Sequence, residues 1–323
     1  MNLSPHPAPR PLSEAVQKGA FIKRCPCSPG AISCGYLNIH LQSGCPFDCS
    51  YCILQAYLED KDQGVFYTNW ADWVVELENF LAENREARLG TGELSDSLAY
   101  EAAHPSAARI VDIFRDYPQA VFEFKTKSDA IRSLLGVREP GPNIVVSWSL
   151  NPAALIRGEE HRAPSLARRL RALEAIQAKG YAVGIHFDPL VLFPGWQEHY
   201  RRLIRSLARV IRPGRIAWWS LGALRFPPQL KPHIFRRPRS QLFWGELVEG
   251  ADGKYRYFTP LRLELFRFIR DEIRARVSGA VPLYLCMEDG GAWEEIFPEM
   301  KADEATINRR LLQAALAAGG GKR

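Results

Sequence analysis

The chain has 323 residues, of which 46% are hydrophobic and 24% charged, and its formal net charge is +6. That is ample apolar material for a real core, and an α/β barrel of this length folds as one domain. No apolar run approaches the roughly 18 residues that span a bilayer, which argues against a membrane protein, while the positive balance permits a polyanionic partner without requiring one.

In chain order, residues 1–33 open with the Pro-rich "MNLSPHPAPRPLSEAVQKG", which lacks the apolar core of a secretory signal. They read as a flexible lead-in to a cytoplasmic protein. From Tyr36 onward, short β-rich runs alternate with helical patterns. Strands are expected at Tyr36–Leu41, Ala87–Glu93, Ala120–Lys127, Asn143–Asn151, Tyr181–Leu190 and Arg215–Leu224. Helices are expected near Tyr51–Leu58, Trp70–Asn84, Ser106–Asp116, Ser128–Leu135, Ser165–Lys179 and Gln197–Ile211. The alternation predicts an α/β fold, a partial (β/α)6 barrel over residues 34–224. Residues 225–323 are expected to form an α+β extension: a basic loop, a β-hairpin turning at Asp252-Gly253, and a terminal helix.

Ligands of parallel α/β sheets bind at the C-terminal ends of the strands. Polar residues collect at those ends here: Gly44 to Cys52 after the first strand, Thr91, Gly92 and Glu93 after the second, Lys125 and Lys127 after the third. Ser147, Ser149 and Asn151 follow on the fourth, and His186 and Asp188 on the fifth.

Three of the seven cysteines, Cys45, Cys49 and Cys52, fall in "GCPFDCSYC". In a reducing compartment such clusters are metal ligands or redox groups rather than disulfides. A structural zinc site takes four protein ligands. Three thiolates on a [4Fe–4S] cube leave one iron open to an outside ligand. The residue types leave two readings, a three-thiolate cluster or a zinc site completed by a distant thiol.

The C-x3-C-x2-C spacing at the end of a first barrel strand resembles the motif of the radical S-adenosylmethionine superfamily. The stretches "CPFDCSYCILQAYL", "RLGTGELSDSLAYE", "EFKTKS", "VVSWSLNP", "GIHFDPL", "GELVEGADGKYRYF" and "YLCMED" together resemble the spore photoproduct lyase family. The resemblance covers roughly Cys25 to Trp293. It implies a [4Fe–4S] cluster on Cys45, Cys49 and Cys52, with S-adenosylmethionine on the open iron. It implies that Thr91, Gly92 and Glu93 receive the cofactor's amino group, and that Lys127, with Lys125 in reserve, pairs with its carboxylate. Ser147 and Ser149 add contacts, and Tyr51 lies where an aromatic meets the adenine.

The implied activity is DNA repair, in which a deoxyadenosyl radical takes hydrogen from a methylene-bridged thymine dimer and the bridge fragments. A low-potential electron donor is implied as well. Family members carry a cysteine near the end of strand two that returns hydrogen to the product; "RLGTGELSDS" has none, and Ile53 stands where a relay tyrosine is usual. Cys34 and Cys286 are then the candidate donors. Arg236, Arg237 and Arg239, interleaved with Phe235, suit phosphate contact with base stacking. Arg256 and Tyr257 resemble the pair on a hairpin that wedges into the duplex. Rival readings keep the radical chemistry but take RNA, a peptide or a small molecule as substrate, or treat the chain as a non-enzymatic metal-binding module. Cys25, Cys27, Cys34 and Cys286 are the remaining thiols, enough for a second metal site.

Overall fold

The computed structural model describes residues 12–84, 86–237, 239–277 and 282–320. The start of the expected lead-in, residues 1–11, lies outside them, as does Pro238 of the basic loop.

All six expected strands form, each within its expected run. They are β1 (Tyr36–Ile39), β2 (Arg88–Thr91), β3 (Val121–Thr126), β4 (Ile144–Ser149), β5 (Ala182–Leu190) and β6 (Ile216–Ala223). They lie side by side in that order, every neighbouring pair parallel. The curled sheet extends further at both edges. Ile22–Arg24 pairs antiparallel with β1, and β7 (Leu283–Leu285) pairs parallel with β6. β7 comes from the segment expected to stand outside the barrel, so the C-terminal residues complete its wall.

The connecting helices also form where the apolar period places them: Leu54–Tyr57, Trp70–Glu83, Ala107–Phe114, Arg132–Gly136, Leu166–Lys179 and Trp196–Val210. Their stripes cover the outer face of the sheet. Leu166–Lys179 shows why: Ala172, Leu173 and Ile176 are buried while Arg168 and Arg171 are exposed, a three- and four-residue spacing. Gly180, at φ 113°, ends that helix in the left-handed conformation that glycine adopts without penalty.

A period of two divides the strands. Phe122 and Phe124 of β3 meet the helices, while Glu123 and Lys125 face inward. The tandem tryptophans of β6 divide in the same way. Trp219 packs edge-on to Phe187, and the Trp218 indole N–H donates to the Glu123 carboxylate at 3.3 Å.

The hairpin pairs Leu247–Glu249 with Tyr255–Tyr257 around Gly253, and Arg225–Phe226 adds a third strand. The helix Glu304–Gly320 packs across β6 and neighbouring strands. Its Gly319 lies so close to the chain that a Cβ there would be 1.7 Å from the Pro142 carbonyl oxygen.

Leu311 on this helix is 1% exposed. Leu311→Ala is expected to cost about 2–5 kcal/mol, read as a lower urea midpoint with an unchanged denaturant slope.

Candidate active site

One cavity of 340 Å³ opens at the C-terminal ends of the strands. Cys45, Cys49 and Cys52 line it together with Tyr51, Thr91, Gly92, Glu93, Lys125, Lys127 and Ser149. Cys34 and Cys286 line it too. Ser147 lies deeper, fully buried, within reach of the Glu123 carboxylate.

The cysteine loop is fixed by its backbone at both ends. Gly44, at φ 81°, donates its N–H to the Leu94 carbonyl at 2.8 Å, and a Cβ there would meet the Gln63 carbonyl oxygen at 2.2 Å. Cys45 N–H donates to the Lys61 carbonyl at 2.7 Å. Further along, Asp48–Cys49 forms a two-residue ladder with Glu160–His161, and Ser50 N–H donates to the Glu159 carbonyl at 2.7 Å.

Behind the loop stands a carboxylate that sequence reasoning missed. Glu160 accepts from the Tyr51 hydroxyl at 2.5 Å, from Asn151 Nδ2 at 2.9 Å and from Arg169 at 2.5 Å. The side chains of Glu160 and Arg169 are both 0% exposed. Burial alone would raise the Glu160 carboxyl, but Arg169, Lys127 and the hydrogen bonds outweigh it and leave it below its ordinary value. A signal for Arg169 was present in the sequence. It shares the apolar stripe of Ala172, Leu173 and Ile176, where an unpaired charge would be expensive.

Across the cavity floor, Glu93 is oriented by His40, whose Nε2 lies 2.9 Å from its carboxylate. Gly92, at φ 114°, holds a conformation that brings its Cα close to β3; a Cβ would stand 3.0 Å from the Lys125 carbonyl oxygen. Asp96 accepts from the Lys127 backbone N–H at 2.5 Å and fixes the end of β3. Burial pulls the Lys127 ammonium down, yet the negative charge of a Cys49 thiolate and of the Glu160 carboxylate prevails and lifts it above its usual range. Its Nζ lies 5.6 Å from the Tyr51 ring.

Deeper still, His186 Nε2 pairs with Glu123 at 2.8 Å. Burial pushes His186 below its ordinary value, against the pull of the Glu123 carboxylate beside it. Asp188 lies between Arg225, at 3.3 Å, and Lys125, at 3.8 Å. The thiols of Cys45, Cys49 and Cys52 are pushed up, chiefly by burial.

The expected nucleic-acid residues separate into two groups. Arg236 and Arg239 are exposed beside the exposed Phe235 and Trp244. Arg237 instead grips Asp48 of the cysteine loop with both guanidinium nitrogens, at 2.6 and 3.2 Å. Arg256 pairs with Asp252 at 2.6 Å. Tyr257 is 0% exposed, and its hydroxyl accepts from the Leu192 N–H at 3.1 Å.

Residues 29–226 match the pattern that defines the spore photoproduct lyase family. The spore photoproduct lyase of Clostridium acetobutylicum is 25% identical over 183 residues, 56% of this chain and 53% of that one. The chain spans about half the length of the curated relatives it matches. Among solved structures, a spore photoproduct lyase complexed with dinucleoside spore photoproduct superposes with a TM-score of 0.75 at 23% identity, covering 85% of this chain and 82% of that one. A mutant lyase holding AdoMet and the same dinucleoside gives 0.73 at 23% identity over the same shares. These superpositions establish the partial barrel as a shared fold.

Glu160→Gln is expected to cost about 3–5 kcal/mol, because it leaves Arg169 buried without its countercharge. The Glu160 carboxyl is lowered in the fold, so its contribution is complete above the unfolded value of about 4.3 and is lost as pH falls through the lower folded value. Urea titrations at a series of pH values should show the gap between wild type and variant full at neutral pH and narrowing below about pH 4.

Proposed function

The chain belongs to the spore photoproduct lyase family, and from that premise we propose that it is a radical S-adenosylmethionine enzyme acting on damaged DNA, a methylene-bridged thymine dimer or a related lesion. The observation that carries this reading is one cavity lined by the Cys45, Cys49 and Cys52 thiols together with Glu93, Lys127 and Ser149.

The residues fit the implied cofactors. Among the described residues no group of three or more His, Cys, Asp or Glu is gathered to hold a single metal ion. A cube differs from an ion in taking each thiolate at a separate corner iron. Lys127 supplies positive charge beside Cys49. Gly92 lets its backbone approach a ligand closely, and the carboxylate of Glu93 accepts hydrogen bonds from an ammonium. In this reading Cys45, Cys49 and Cys52 hold the [4Fe–4S] cluster, Glu93 the amino group of S-adenosylmethionine and Lys127 its carboxylate, with the Tyr51 ring toward the adenine. Held by these residues and given one electron by a low-potential donor, the pair would supply radical hydrogen-abstraction chemistry.

The protein's own part is orientation and exclusion. Glu160 and Asp48 hold the cysteine loop still, His40 aims Glu93, and the cavity is too small for a stacked duplex, so the target base must leave the stack. Arg236, Arg239, Phe235 and Trp244 form the exposed basic and aromatic surface proposed to meet the nucleic acid. Arg237, in the same segment, is engaged by Asp48 of the cysteine loop.

With dithionite under anaerobic conditions, the protein should convert S-adenosylmethionine to deoxyadenosine and methionine. It should also restore thymine in DNA irradiated to carry the methylene-bridged dimer. No deoxyadenosine would end the radical reading; deoxyadenosine with unchanged DNA would end the DNA reading. Cys49→Ala should abolish cleavage, and Glu93→Gln should weaken cofactor binding about ten- to hundred-fold, the worth of a charge-assisted hydrogen bond.

DNA binding should weaken with salt. Replacing Arg236 and Arg239 by Ala should reduce the slope of log affinity against log salt by about 2, while Arg237→Ala should lower cluster content instead.

A further inference from the structure

The four cysteines outside the Cys45–Cys52 loop converge from separate parts of the chain. Cys25 and Cys27 follow the edge strand Ile22–Arg24, Cys34 stands just before β1, and Cys286 directly follows β7. Cys27 N–H donates to the Cys25 carbonyl at 2.8 Å, which folds the pair into a tight turn, and Cys25 lies within electrostatic range of Cys34 and Cys286. Cys25, Cys34 and Cys286 line the same cavity as the Cys45, Cys49 and Cys52 thiols. All seven are free of disulfides.

The backbone builds this convergence. Cys25 N–H donates to the Tyr36 carbonyl at 3.0 Å, Ile32 N–H to the Glu288 carbonyl at 2.9 Å, and Cys286 N–H to the Leu221 carbonyl at 2.8 Å. Ala31 and Asp289 form an isolated bridge, and Ser28 N–H donates to the Met287 sulfur at 3.4 Å. Two arginines stand at this wall, one on a thiol and one on a backbone carbonyl. Arg225 stands 3.8 Å from the Cys286 sulfur, and Arg88 bonds the Cys34 carbonyl at 2.5 Å.

Inert core cysteines are scattered among apolar side chains. Three on one cavity wall, with a fourth two residues along the chain from one of them and an arginine on another, resemble a ligand set. As with the first three, no three of them are gathered to hold one ion. We infer that Cys25, Cys27, Cys34 and Cys286 ligate a second iron–sulfur cluster of the [4Fe–4S] class on the wall of this cavity. Four thiolates close all four corners, so this cluster has no open iron and serves as a one-electron store beside the substrate. The assignment is independent of what the first cluster does. It also takes Cys34 and Cys286 out of consideration as hydrogen donors.

The test is iron and sulfide stoichiometry with Mössbauer spectra on anaerobically reconstituted protein. Wild type should hold about eight irons and eight sulfides per chain, and the triple variant Cys45→Ala, Cys49→Ala, Cys52→Ala should retain about four of each. Cys34→Ser with Cys286→Ser should reduce wild type to about four, while the remaining cluster's paramagnetic spectrum still responds to added S-adenosylmethionine. About four irons in wild type with none in the triple variant would overturn the inference, as would zinc in place of iron. Either result would return Cys34 and Cys286 to the candidate hydrogen donors. Should the double variant misfold by circular dichroism, the triple variant alone decides.

Discussion

A carboxylate with no access to water sets the position of the cysteine loop. Glu160 is satisfied by Arg169, Asn151 and the Tyr51 hydroxyl at once. Its backbone runs antiparallel to Asp48–Cys49. A buried ion pair of this kind contributes little net stability against an apolar substitute, but removing one partner is costly. Its value here is positional. The loop cannot shift without leaving a charge uncompensated in a dry interior. Arg237 fixes the same loop from the solvent side through Asp48, so the loop is held from behind and in front.

The same economy of position runs through the sheet. Because side chains alternate, each strand gives apolar residues to the helices and polar ones to the cavity. Glu123, His186 and Trp218 interlock below the cavity, and Asp188 balances Lys125 and Arg225 near its mouth. Nearly every charge on the cavity wall has a named counterpart.

Much of this was legible before any coordinates. Six strands and six helices follow from apolar periods alone, because each buries one face and the period records it. The make-up of the cavity wall was legible because thiols and carboxylates collect at the ends of strands. Other features left a weaker trace. β7 is only three residues, "LYL", and such a run reads equally as buried helix or strand. Arg169 was hidden between Arg168 and Arg171, although it occupies the apolar stripe of its helix. Tyr257 shows the opposite failure. An aromatic beside an arginine on a hairpin suggests a surface contact, yet tertiary packing buries it against Leu192. Propensity and pattern describe faces of single elements, and they are silent about which long side chain crosses to another.

The lateness of β7 has a consequence for how the molecule is made. The β6 edge of the barrel waits for residues 283–285, and Cys286 reaches the cavity only when that strand has docked. A nascent chain that has emerged through β6 already carries six of the seven cysteines with one side of their enclosure missing. Until that strand arrives the thiols stand open to water and oxidant, so docking of β7 is the step that encloses them.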